Sequence, residues 1–203
     1  MIKAWKGAMV LHASAVTIND QCWGFVGKSG AGKSTIAKRL SASKNFNHWC
    51  DDWLEIQVSA GDIKAVYNEF TTRLGSEHAE KLVANHMIPP LSLKKESVGN
   101  KLIIGERTSQ KVNTKVSLGV IYEVVPHPSF SKTKIQRLTE SEAFCCLSKH
   151  LYRLDTTNKQ HFRREFEQLT NLIASTPVYR LNYSHSIPGL ASITDLLLEN
   201  FEH

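Results

Sequence analysis

An α/β fold, a mixed sheet with helices laid on it, is what this sequence predicts, and three observations carry the prediction. Gly27-Lys28-Ser29-Gly30-Ala31-Gly32-Lys33-Ser34 matches G-x-x-x-x-G-K-[ST], the pattern of a phosphate-binding loop. The loop is entered from Cys22-Trp23-Gly24-Phe25-Val26, a short apolar run that reads as a buried strand. It is left through Thr35-Ile36-Ala37-Lys38-Arg39-Leu40, whose apolar residues recur at helical spacing. Elsewhere β-prone and helical stretches mix without internal repeats or low-complexity linkers, so one α/β domain over residues 1–203 is expected.

Taken in order, residues 8–18 are apolar and β-prone, and Asn19-Asp20 supplies a turn into the strand at 21–26, which predicts a hairpin. The loop helix is expected from Lys33 to Ser43. Phe46 to Cys50 reads as the next strand, closing at Asp51-Asp52, with Trp53 to Val58 as its continuation or partner. Ser59 to Asp62 reads as a turn before a strand near Ala65 to Tyr67. A short helix is expected from Glu77 to Val83. Pro89-Pro90 breaks the pattern within 86–112, and the polar stretch 94–100 reads as a loop. Val116 to Val125 is strongly β-prone. Thr139-x-x-Glu142 is a capping-box signature for a helix reaching about Tyr152. A helix over Lys159–Ser175, a strand over Pro177–Tyr183 and a helix over Ile193–Phe201 complete the chain.

Bulk properties narrow the class. With 203 residues, 41% hydrophobic and 22% charged, the chain has enough apolar surface for an ordered core. No apolar run approaches the roughly 20 residues that span a bilayer, and Met1 to Lys6 lacks the apolar centre of a signal peptide. A cytoplasmic protein without a membrane partner is therefore expected. Cys22, Cys50, Cys145 and Cys146 show no C-x-x-C spacing and read as buried free thiols. A net charge of +6 and a pI near 9.1 suit an anionic partner. The basic residues are scattered and no nucleic-acid motif accompanies them, so nucleic acid is not the expected partner; homo-oligomerisation stays open.

The loop's chemistry follows from its residue types. Three glycines let the backbone curl round an anion with its N–H groups turned inward, and the helix start adds partial positive charge. Lys33 can reach the β- and γ-phosphates of a nucleoside triphosphate, and the Ser34 hydroxyl can ligate Mg²⁺. Asp51-Asp52 closes a strand, where α/β sheets carry ligand-facing groups. One carboxylate there can hold Mg²⁺ and its neighbour can take a proton from an attacking hydroxyl, although Asp-Asp also serves as a solvated turn. His12 reads either as a core histidine or, if the hairpin brings it beside the loop, as a positive group near the γ-phosphate. Arg73 and Arg107 are candidates for a phosphate clamp, with a surface arginine the plain alternative.

Leu11-His12-Ala13-Ser14-Ala15-Val16, the run from Gly24 to Thr35, and Asp51-Asp52 together resemble the catalytic domain of the HPr serine kinase/phosphorylase family. The likeness is greatest to its compact branch, some members of which phosphorylate a serine on a ribosomally made peptide such as a lasso-peptide precursor. Leu118 to Val125, Leu138 to Ala143 and Pro177 to Leu181 are also similar to those relatives. The resemblance implies a core like that of phosphoenolpyruvate carboxykinase. It further implies ATP and Mg²⁺ held by Gly27, Lys28, Ser29, Gly30, Ala31, Gly32, Lys33, Ser34 and Thr35. Asp51 would deprotonate the acceptor serine, Asp52 would join Ser34 on the metal, and His12, Lys33 and Arg73 would stabilise the transferring group. The arginine- and glycine-containing signature of the full-length enzymes has no counterpart, so the phosphorylase direction is not expected. The function expected is an ATP-dependent serine kinase acting on a peptide or small protein. A small-molecule hydroxyl acceptor, or a nucleotide switch without transfer, are the alternatives.

Overall fold

A computed structural model describes residues 8–43, 45–59, 61–67, 72–75, 97–98, 101–104, 115–128, 132–153, 158–184 and 186–199. The helix expected over 77–83, Pro89-Pro90, Arg107 and most of 86–112 lie outside these residues.

The apolar N-terminal run forms two strands rather than one. β1 (Met9–Leu11) and β2 (Ala13–Ile18) meet at a bend on His12. Asn19 and Asp20, with φ of 47° and 58°, make the two-residue turn into β3 (Gln21–Val26), the left-handed geometry that matches strand twist in a hairpin. The glycine loop leads into α1 (Lys33–Ser41), two residues shorter than expected. β4 (Asn47–Cys50) follows, then β5 (Leu54–Ser59) and β6 (Asp62–Val66) as a second hairpin. β7 (Thr72–Gly75), β8 (Ser97–Val98) and β9 (Lys101–Ile104) form a separate antiparallel sheet, so 94–100 contains strand where a loop was expected.

β10 (Lys115–Pro126) is the longest strand. Its first residues pair antiparallel with β6 and its last pair parallel with β12 (Val178–Tyr183), while β3 runs parallel on its other side. The main sheet is thus mixed, in the order β1-β5-β6-β10-β3-β2-β4, with β12 and β11 (Lys134–Arg137) branching from β10. β1 and β2 are joined through His12 alone, yet they lie towards opposite ends of that order. Only a sheet curled upon itself brings them together, and the curl places His12 at the corner.

Two apolar layers hold the helices. Ile36, Ala37 and Leu40 of α1 and Leu190, Ile193 and Leu197 of α4 (Ile187–Glu199) pack with Phe25, Val120, Tyr122, Val124, Leu181 and Tyr183. On the other face, Ala143, Cys146 and Leu147 of α2 (Glu140–Ser148) and Leu169 and Leu172 of α3 (Lys159–Ser175) pack with Leu11, Ala15, Val26, Leu54, Leu118 and Ile121. A bulge between Leu118 and Val120 reverses the alternation of β10. Val116 and Leu118 face the α2 layer, whereas Val120, Tyr122 and Val124 face α1.

Two helix boundaries differ from expectation for identifiable reasons. α2 opens with the expected capping box, but it stops at Ser148 instead of about Tyr152. The chain beyond turns aside to bond with the N-terminal strands: Tyr152 N–H donates to Val10 and His12 N–H to His150, with a bridge between Leu11 and Leu151. α4 begins at Ile187, well before Ile193, because Pro188 falls in its first turn, where a missing N–H costs nothing. β11 was not expected; its largely exposed, charged sequence pairs only at the sheet's edge. Among the described residues, no helix is long and apolar enough to cross a membrane.

Candidate active site

The ends of three neighbouring strands converge on the glycine loop. Register pairs Ala13 of β2 with Val26 of β3, and Ala15 of β2 with Cys50 of β4. Continued one step, the register sets His12 opposite Gly27 and Ser14 opposite Asp51, so the sheet itself brings these residues to one end.

The loop backbone requires glycine where it is tightest. A Cβ on Gly27 would sit 2.7 Å from the Val124 carbonyl of β10. Gly32 has φ of 88°, and a Cβ there would lie 2.8 Å from Leu190 Cδ2 and 2.9 Å from the Tyr183 hydroxyl. No side chain caps α1, so its first N–H groups are left for the loop or a ligand. Ala31 N–H donates to the Lys28 carbonyl at 3.1 Å, and Tyr183 Oη donates to the Ala31 carbonyl at 2.9 Å. Lys33 is buried, and its ammonium donates to the carbonyls of Gly27 and Lys28 at 3.0 and 3.2 Å. Lys28, Ser29 and Gly30 face solvent, while Ala31 and Thr35 are buried beneath them. Ser34 Oγ lies 3.2 Å from Ser14 Oγ, whose side chain is fully buried.

The two aspartates occupy different surroundings. Asp51 is 2% exposed, and His48 Nε2 stands 3.5 Å from its Oδ2. That spacing admits attraction between charges but no hydrogen bond forms, and both carboxylate oxygens are buried without one. Asp52 has φ of 62°, an uncommon conformation for a residue with a side chain. Its carboxylate is about half exposed, and Oδ1 lies 3.6 Å from His12 Nε2. Tyr152 packs edge-on to the His12 ring and stacks on Trp53, with centroids 5.8 and 5.1 Å apart. Burial, with Asp52 as a lesser cause, pushes the Tyr152 hydroxyl above its ordinary pKa. Cys50 is raised well above the ordinary thiol range by burial, then by Cys22, Asp51 and Asp52, which makes it an inert neighbour.

His12, Lys33, Ser34, Asp51 and Asp52 are therefore gathered at one rim. Arg73 is placed by its backbone only: it lies in β7 opposite Ile103, and β7 passes close to α1. The loop amides and Lys33 suit a phosphate chain. The Ser34 hydroxyl and the aspartate carboxylates are hard oxygen donors of the kind Mg²⁺ prefers, and the buried Asp51 oxygens make no hydrogen bond that an ion would have to displace. Sequence reasoning missed Ser14, Tyr152 and Tyr183. Ser14 stood beside His12 in an apolar run, a usable signal; the two tyrosines are distant in sequence and gave none.

Fold and site together define a mixed-sheet α/β protein with an anion-suited glycine loop flanked by histidine and paired carboxylates. Neither a protein-family profile nor a curated protein sequence matches the chain. Among solved structures it is similar to "Structure of the Hpr(Ser) kinase/phosphatase from Coxiella burnetii". The identity is 9%, the TM-score 0.44, and the match covers 94% of this chain and 95% of that one.

Proposed function

We propose that this protein is an ATP- and Mg²⁺-dependent kinase that transfers the γ-phosphoryl group to a serine hydroxyl of a peptide or small protein. The observation that carries the reading is the buried, hydrogen-bond-free carboxylate of Asp51 beside a glycine loop whose Lys33 ammonium is already drawn inward. Burying a carboxylate without a hydrogen bond is costly, with His48 at 3.5 Å only a partial offset, so one at the rim of an anion-suited loop is best understood as serving a reaction. The choice of serine on a peptide rests on the resemblance carried by Leu11–Val16, Gly24–Thr35 and Asp51-Asp52.

In this mechanism the loop amides and Lys33 hold the triphosphate, and Ser34 with Asp52 would hold the metal. A Mg²⁺ ion held there would supply charge neutralisation for the phosphate chain. Asp51 receives the acceptor hydroxyl's proton as its oxygen bonds to the γ-phosphorus and the bridging oxygen leaves with ADP. His12 offsets charge on the transferring group, and positioning supplies most of the acceleration. A second assignment of the acids follows the difference in exposure: in it Asp52, which faces solvent and His12, would take the proton and Asp51 would hold the metal.

A nucleotide titration run beside a γ-phosphoryl transfer assay on serine peptides tests both. Asp51→Asn is expected to retain nucleotide affinity and lose transfer, while Lys33→Ala weakens both. The metal ligand is the aspartate whose Asn variant raises the Mg²⁺ concentration needed for half-maximal binding. Nucleotide binding with no labelled acceptor, peptide or metabolite, would replace the kinase with a nucleotide switch.

A further inference from the structure

We propose that Glu123, Cys146 and His150 form a transition-metal site beside the glycine loop, with Zn²⁺ as its ion. Their ligand atoms, a carboxylate oxygen, the thiol sulfur and an imidazole nitrogen, all lie within 4.8 Å of one another. Tetrahedral zinc, with bonds of about 2.0–2.3 Å, needs ligand atoms roughly 3.3–3.8 Å apart, so the side chains close by about 1 Å on binding.

Each ligand is delivered by a definite structural cause. Cys146 lies in the last turn of α2, and His150 just past its end is held beside that turn by its N–H, which donates to the Leu147 carbonyl at 2.9 Å. Glu123 lies on β10 after the bulge at Gly119, and that bulge turns it towards the α2 layer; unbroken alternation would turn it towards α1. Arg180 Nε donates to Glu123 Oε2 at 2.6 Å and fixes the carboxylate, as outer partners of metal ligands do, while the Cys146 thiol hydrogen-bonds the same carboxylate with the proton it would lose to a metal. Cys146 is buried, whereas Glu123 and His150 are partly open to solvent, which gives an entry path and a fourth position for water.

The donor set is the wrong one for Mg²⁺ and the right one for zinc: sulfur, nitrogen and oxygen. Zinc binding forms a Zn–S bond, and the Cys146 proton leaves to solvent. Without an ion, burial and then Glu123 push that thiol up to about 12, and burial and then Lys33 hold the His150 imidazole below its ordinary value, with its lone pair available. The ion would brace the reactive corner, since the His150 carbonyl accepts the His12 N–H at 2.7 Å.

The test titrates the purified full chain with Co²⁺ in the absence of nucleotide. One equivalent with a thiolate-to-cobalt charge-transfer band, displaced by Zn²⁺, is expected. Cys146→Ser should abolish the band, and His150→Ala should weaken binding at least tenfold. Arg180→Met should weaken it about 10–100-fold while keeping the band. No thiolate band, or a band unchanged in Cys146→Ser, overturns the site. Should Cys146→Ser fail to fold by circular dichroism, undiminished binding in both His150→Ala and Glu123→Gln overturns it equally. The readout needs neither ATP nor an acceptor, so it stands or falls apart from the kinase reading.

Discussion

The Tyr183 hydroxyl on β12 donates a buried 2.9 Å hydrogen bond to the carbonyl of Ala31, at the crown of the glycine loop. Tyr183→Phe leaves that buried carbonyl without its partner, a loss of about 1–3 kcal/mol. Chemical denaturation should show the lower stability, and nucleotide titration a weaker affinity from the loosened loop. Burial pushes the Tyr183 pKa up to about 12, so the hydroxyl remains a donor and the difference from wild type should not vary between pH 6 and 9 on its account.

Gly32→Ala meets two obstacles at once. The left-handed backbone costs a non-glycine residue about 1–2 kcal/mol. Its Cβ would also press on Leu190 and on the hydroxyl of Tyr183. A stability loss beyond the backbone cost alone, together with lost nucleotide binding, is expected; a variant that binds ATP normally would show that the loop adjusts by moving α4.

Asp51→Asn should separate stability from activity. The carboxylate has no hydrogen bond, and an amide in its place supplies a donor as well as an acceptor. The melting temperature of the nucleotide-free variant should equal or exceed that of the wild type while transfer is lost, the trade-off expected of a reactive group. A lower melting temperature would instead give Asp51 a structural role, with His48 as its partner.

Thr139→Ala removes the cap of α2 and should cost about 1 kcal/mol. Hydrogen bonds from the Thr139 backbone and then its hydroxyl lower the pKa of Glu142. A carboxyl with a depressed folded-state pKa contributes stability above the ordinary glutamate range, and that share is lost as pH falls through its folded value. The gap between variant and wild type should therefore narrow in acid, as unfolding curves from pH 7 down to pH 3 would show.

Much of the framework was legible because its causes are local. The Asn19-Asp20 hairpin, the loop with its strand and helix, the capping box at Thr139 and the helix over Lys159–Ser175 each depend on residues within a turn or two of one another. Errors came where a distant partner intervened. Residues 149–152 left the helical pattern to bond with β1 and His12, and the apolar run 8–18 was bent at His12 by the closure of the sheet.

Sequence alone determined which groups are available for chemistry: a glycine loop with Lys33 and Ser34, a histidine in an apolar run, and twin aspartates at a strand end. Tertiary structure decided their circumstances. Curling and strand register set His12 against Asp52, buried Asp51 without a hydrogen bond, brought Tyr183 under the loop, and through one bulge turned Glu123 towards Cys146 and His150. The physical reason is range. Propensity and motif act over a few residues, whereas burial and side-chain encounters depend on which strands become neighbours, and that choice belongs to the core as a whole.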